Sequence, residues 1–143
     1  MNITLQTLGK IISDKINLGH KLKDISLKNY TYSNIIQYIN FQKNTYTRNK
    51  VYSDNNIDIF ILSWYPDSKS PIHNHPKNGC ILKVLFGKLQ EHKYLTNKKY
   101  IINNITSEQN KQSYLDDTIG THQIIALLPT VSLHIYSPSG FYD

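Results

Sequence analysis

An antiparallel β domain, closed as a sandwich or jelly-roll barrel behind a short helical lead-in, is the fold this sequence predicts. Three observations carry the prediction. Apolar residues recur at helical spacing only in the first 44 residues; from residue 45 onward short runs rich in β-branched and aromatic residues take over; and turn residues separate those runs.

In the lead-in, Leu5, Leu8, Ile11, Ile12, Ile16 and Leu22 stand on a polar background and predict a helix. Ser33 reads as an N-cap for a second, shorter helix carrying Ile35, Ile36, Tyr38 and Ile39. Strands are then predicted over 57–65, 80–86, 89–95, 100–105, 122–128 and 131–137. Phe86-Gly87-Lys88 and Thr96-Asn97-Lys98 are the turns of two hairpins, Pro66 to Pro76 is a loop, and the Asn-rich stretch from Asn103 to Asn110 reads as a surface connection. Six or seven strands at this spacing suit a double-sheet jelly roll. The organisation expected is a helical segment, 1–44, packed on a β-barrel, 45–143, as one structural domain.

Composition narrows the function. With 143 residues, 39% hydrophobic and 18% charged, the chain falls in the globular range. No apolar run approaches the ~18 residues of a membrane span, and Met1 to Gly9 lacks the pattern of a secretory leader, so a cytoplasmic protein without a membrane partner is expected. The net charge of +6 raises nucleic-acid binding, but the lysines are scattered along the whole chain and none is expected. Cys80 is the single cysteine, which excludes an internal disulfide. Arg48 is the single arginine among sixteen basic residues, which suggests a position where lysine will not serve.

The chemistry-bearing residues cluster around His73-Asn74-His75. On an extended segment these two imidazoles share a face and can reach one ion. Cys80 follows five residues later and Gly87 seven after that, giving His-x-His-x4-Cys-x6-Gly. This pattern resembles the first motif of the cupin superfamily, with Cys80 in the place of the usual glutamate and Asp67 where a glycine is common. The resemblance implies a double-stranded β-helix barrel around a metal, with His122, after Gly120, as the third ligand. Three neutral imidazoles without a carboxylate would leave the ion its full charge, so anionic ligands must come from a substrate.

A narrower set resembles the thiol dioxygenases of the cysteine dioxygenase type: Tyr46-Thr47-Arg48-Asn49, Trp64, Pro71-Ile72-His73-Asn74-His75 with Cys80 and Lys83-Val84-Leu85, Ile119-Gly120-Thr121-His122, and Val131 to Pro138. The resemblance implies that His73, His75 and His122 hold Fe(II) and that Arg48, with Tyr46 beside it, binds the substrate carboxylate. It also implies that Tyr136 is the active-site tyrosine, joined to Cys80 by a thioether, and that Ser132 and His134 orient its hydroxyl. The implied reaction adds both atoms of O₂ to the sulfur of L-cysteine. Other small thiols (3-mercaptopropionate, cysteamine), a non-catalytic metal-binding cupin and an RNA-binding β domain are the alternatives; a monomer is expected.

The chain also departs from the family. Asn74 replaces a common Asp, His122-Gln123-Ile124-Ile125-Ala126 replaces a His-Arg-Val-Glu-Asn run, and the connection from His122 to Ser132 is shorter. Seven residues follow Tyr136, in place of a longer carboxyl extension, and a more open pocket is the expected consequence. His20 and His92 are read as uninvolved in the site.

Overall fold

The computed structural model describes residues 1–94, 101–117 and 121–142, with backbone alone for 101–105 and 108. The predicted turn at Thr96-Asn97-Lys98, the strand ends at Leu95 and Tyr100, and Ile119-Gly120 lie outside the described residues.

The lead-in begins with β1 (Asn2–Ile3) and α1 (Leu5–Asn17), and β1 pairs in parallel with β2 (Thr31–Tyr32). Thr4 caps α1, its hydroxyl accepting the Thr7 backbone N–H at 3.1 Å, so one of the orphan donors of the first turn is satisfied. Leu5, Leu8 and Ile12 form the buried stripe that the helical spacing predicts. Gly9 lies on the same stripe for a steric reason: a Cβ there would stand 2.4 Å from the Tyr52 ring, so the helix can lie this close only over a glycine.

The body consists of β3 (Tyr46–Ser53), β4 (Asp58–Trp64), β5 (Cys80–Phe86), β6 (Lys88–Tyr94), β7 (Ile101–Glu108), β8 (Gln112–Leu115), β9 (Thr121–Ala126) and β10 (Thr130–Tyr136). One sheet runs β3-β4-β10-β5-β8 and the other β7-β6-β9, with antiparallel pairing throughout. Alternation along the central strands divides the core. Ile57, Ile59, Ile61, Ile81, Leu133 and Ile135 pack outward against the lead-in, while Phe60, Leu62, Trp64, Leu82 and Val84 pack inward with Leu89, Ile124 and Ala126 of the second sheet. With both faces covered, β4 and β10 are buried along their whole length, which is why Ile59 to Leu62 at the centre of β4 are all apolar. Gly87 makes the β5–β6 turn at φ +97°, where an added Cβ would also strike the Pro129 carbonyl and Thr130 Cα.

Three expectations are corrected. The helix predicted after Ser33 is a single 3₁₀ turn, Ile35–Tyr38. Its cap position is Asn34 at φ +60° without a side-chain bond, and Ile35 and Tyr38 pack against the core only half-buried. The connection predicted over Asn103 to Asn110 is mostly β7, paired with β6 from Lys88↔Glu108 to Tyr94↔Ile101: ladder bonds to a neighbouring strand outweigh the poor strand propensity of asparagine. Finally, β3 and β8 are strands that the sequence pattern did not announce.

The segment between α1 and β3 is bonded to the body through side chains. Lys83 donates to the Leu27 carbonyl at 3.0 Å; Gln112 accepts from the Leu27 N–H at 2.9 Å and donates to the Ile25 carbonyl at 2.8 Å. Among the described residues no helix is long and apolar enough to cross a membrane.

Candidate functional site

His73 and His75 lie in the loop between β4 and β5, and His122 lies on β9. The loop runs as an extra strand along β9, with the His73 N–H bonded to the His122 carbonyl at 3.1 Å, so all three imidazoles meet. One ring nitrogen from each lies within 4.8 Å of the others, and the Nε2 atoms of His73 and His122 are 2.7 Å apart.

The outward nitrogens explain this convergence. Nδ1 of His73 faces the Pro71 carbonyl at 2.8 Å, Nδ1 of His75 faces Asp117 at 3.3 Å, and Nδ1 of His122 faces Glu91 at 3.5 Å. Each acceptor favours a proton on Nδ1, which leaves the Nε2 lone pairs pointing inward. The His75 Nε2 is buried without a hydrogen-bond partner, the condition a cation would relieve. Burial and the neighbouring His122 press His73 down to about 3 and His75 to about 4, so both are neutral at pH 7, as metal ligation requires.

Glu91 went unnoticed in the sequence except as the neighbour of His92. It points inward from β6, 1% exposed, and accepts the Ser113 hydroxyl at 2.9 Å. Burial raises its pKa, but His122 and Ser113 outweigh that and hold the carboxyl below its usual range. An acid on the same face of β6 as Leu89 was the legible signal. Glu91 and Asp117 stand behind the three imidazoles, on the Nδ1 sides of His122 and His75, and the cluster of candidate ligand atoms is the three histidines alone among the described residues. Glu91→Gln should weaken metal affinity by ~10–100-fold with the fold intact, measured by chelator competition.

Three residues of β10 form a chain of hydrogen bonds. Trp64 Nε1 donates to Ser132 Oγ at 2.9 Å, Ser132 Oγ lies 2.8 Å from His134 Nε2, and His134 Nδ1 lies 3.1 Å from the Tyr136 hydroxyl. The indole can only donate. With Ser132 accepting from the indole and donating its O–H to His134 Nε2, His134 donates from Nδ1 to the Tyr136 oxygen, whose O–H is left free to donate. Burial drives His134 far below the histidine range and Tyr136 above the phenol range, so both stay neutral.

Tyr46, Arg48, His73, His134, Tyr136 and Tyr142 line one cavity of about 70 Å³, far smaller than the ~300–1,000 Å³ of drug-sized sites. Tyr46 stacks on Trp64 at 4.6 Å. The Arg48 guanidinium carbon lies 4.6 Å from the Phe60 ring centre and 3.6 Å from that of Tyr142, and its Nη2 is buried without a partner. Past Tyr136, Tyr142 lines the same cavity. Cys80 is opposite Tyr136 in register; burial pushes its thiol well up, Glu91 adds to that, and the Tyr136 hydroxyl opposes it. His20 is exposed, and the His92 ring faces Gln90 Oε1 at 3.1 Å, away from the site.

Because His73, His75 and His134 refuse protons when folded, acid should destabilise the metal-free chain. The unfolded histidines titrate near 6.5 and the folded ones well below. Stability is then full above about pH 6.5 and falls as pH drops toward 4, by about 2 kcal/mol per histidine at pH 5. Urea midpoints at pH 7.5 and 5 measure this; equal midpoints would contradict it.

A two-sheet barrel with three imidazoles gathered between a loop and a strand defines a cupin with a site fitted to a metal, and solved structures match the fold. They include an RmlC-like cupin from Desulfovibrio desulfuricans (TM-score 0.61, 16% identity, 76% of this chain and 96% of that one) and a cupin superfamily protein from Desulfitobacterium hafniense (TM-score 0.61, 11% identity, 82% and 98%). Within that class the chain belongs to the cysteine dioxygenase type I family, whose model matches residues 11–141. It is 34% identical to cysteine dioxygenase type 1 of Rattus norvegicus over 110 residues, 71% of this chain and 55% of that protein. With the Danio rerio protein it shares 28% over 145 residues, 94% and 72%. The chain thus spans about half the length of the mammalian relatives it matches.

Proposed function

We propose that this chain is a mononuclear non-haem Fe(II) thiol dioxygenase that adds both atoms of O₂ to the sulfur of L-cysteine, giving cysteine sulfinic acid. The observation that carries the reading is Arg48: a guanidinium with a buried, unpartnered Nη2 lines the same small cavity as His73 and Tyr136. A carboxylate with a thiol a few bonds away is the ligand such a cavity suits.

In this reading His73, His75 and His122 hold Fe(II), which supplies the redox chemistry that brings O₂ and a thiolate to react. Arg48 receives the carboxylate through its planar fork and fixes the far end of the substrate. Tyr136 presents a donor O–H to the charge that develops at the reacting end, oriented by His134, Ser132 and the indole of Trp64. Before any link forms, Cys80 is a protonated thiol opposite Tyr136 in register; a thioether between them, formed with O₂ as oxidant, goes with this reading and would show as loss of a hydrogen pair in the intact mass. A cytoplasmic setting, where a lone thiol stays reduced, accords with it.

The test is oxygen uptake by the Fe(II)-reconstituted chain with L-cysteine, 3-mercaptopropionate and cysteamine in parallel, with mass spectrometry of the products. Sulfinate formed fastest from L-cysteine is the expected result. No uptake with any thiol, at one iron per chain, would end this reading.

A further inference from the structure

Tyr142 belongs to none of the motifs, yet it touches three parts of the site. Its ring lies over the Arg48 guanidinium at 3.6 Å and stands edge-on to Tyr136 at 4.8 Å, and its hydroxyl donates to the carbonyl of Asn74 at 3.3 Å. Asn74 is the residue between His73 and His75, so one side chain links the carboxylate-binding end, the phenol and the metal-binding loop. A cation held against an aromatic face loses its freedom to swing. Here the guanidinium is set in the angle between Tyr142 and Phe60.

We propose that Tyr142 is a specificity-determining residue: its ring closes the cavity at Arg48 and fixes the guanidinium's position, so that a thiol acid with a three-carbon spine fits and one with a further methylene does not. The inference rests on the thiol-acid reading above. Physically, the cavity is small, its wall is a ring stacked on the binding group, and Arg48 cannot retreat while the ring remains. One methylene is commonly worth ~10–200-fold in a close-fitting pocket.

Arg48 is the only arginine, so arginine labelled with ¹³C and ¹⁵N gives one guanidinium signal and a probe independent of turnover. The full chain and its Tyr142→Phe, Tyr142→Leu and Tyr142→Ala variants are titrated with L-cysteine and L-homocysteine, and kcat/KM for the same pair is measured on the Fe(II)-loaded proteins. In the wild type and in Tyr142→Phe, which keeps the ring, we expect L-cysteine to be preferred at least tenfold. In Tyr142→Ala and Tyr142→Leu the preference should fall below about threefold and the Arg48 signal should lose the ring-current displacement. Tyr142→Leu keeps apolar bulk over the core, so a folding defect in Tyr142→Ala alone does not decide the matter.

An unchanged preference in both ring-less variants, or its loss in Tyr142→Phe, would overturn the proposal. A length preference at the Arg48 signal that vanishes with the ring, in a chain that oxidises no thiol, would uphold the role of Tyr142 and end the dioxygenase reading instead.

Discussion

Alanine at position 75 is expected to abolish both stoichiometric metal binding and oxygen uptake. His75 is held in place through Asp117. Its N–H donates to Asp117 at 2.8 Å, Nδ1 faces the same carboxylate oxygen, and Nε2 is left buried with no partner. Removing it takes away a ligating atom, so the loss of affinity should exceed the ~10–100-fold that an outer carboxylate is worth. Iron content after reconstitution and the rate of uptake both measure this. A second consequence has the opposite sign. A buried neutral histidine costs the folded state stability in acid, so His75→Ala in the metal-free form should lose less stability than the wild type between pH 7.5 and pH 5. A variant that still binds one iron and turns over would show that the metal sits elsewhere.

The legible parts of the molecule were those where one chain segment contains the whole signal. His73 and His75 are two residues apart on an extended loop, Ser132, His134 and Tyr136 alternate along β10, and the β5–β6 turn is marked by Gly87. Less legible were features created by partners distant in sequence. β3 has no strong apolar alternation, because its inner face is given to Tyr46 and Arg48, which serve the cavity. β7 is rich in asparagine and is a strand because β6 pairs with it. Glu91 shares a face of β6 with Leu89, but only the fold shows Ser113 and His122 around it. Tyr142 gave no signal at all: its position over Arg48 depends on where the chain turns after β10. Local periodicity finds elements and short motifs, whereas the second layer of a site comes from residues whose meaning lies in a neighbouring strand.

Arg48→Lys should raise KM for L-cysteine by about 10–100-fold and change kcat little, while leaving cysteamine, which has no carboxylate, unaffected. The substitution keeps the charge and removes the geometry. A guanidinium offers two parallel donors to a carboxylate and lies flat on aromatic faces, whereas an ammonium is a point charge that does neither. The structure uses both properties: Nη2 is buried without a hydrogen-bond partner, and the guanidinium carbon lies 3.6 Å from the Tyr142 ring centre and 4.6 Å from that of Phe60. A charge-assisted hydrogen bond contributes about 1.5–3 kcal/mol, which sets the size of the effect. Lys50, on the same face of β3, is directed to Asp58 at 3.8 Å. Arg48→Ala should cost more, since it also removes the stacking under Tyr142. Steady-state kinetics with both thiols measures the split. If L-cysteine and cysteamine suffered equally, Arg48 would be holding the cavity's shape and not the substrate's carboxylate.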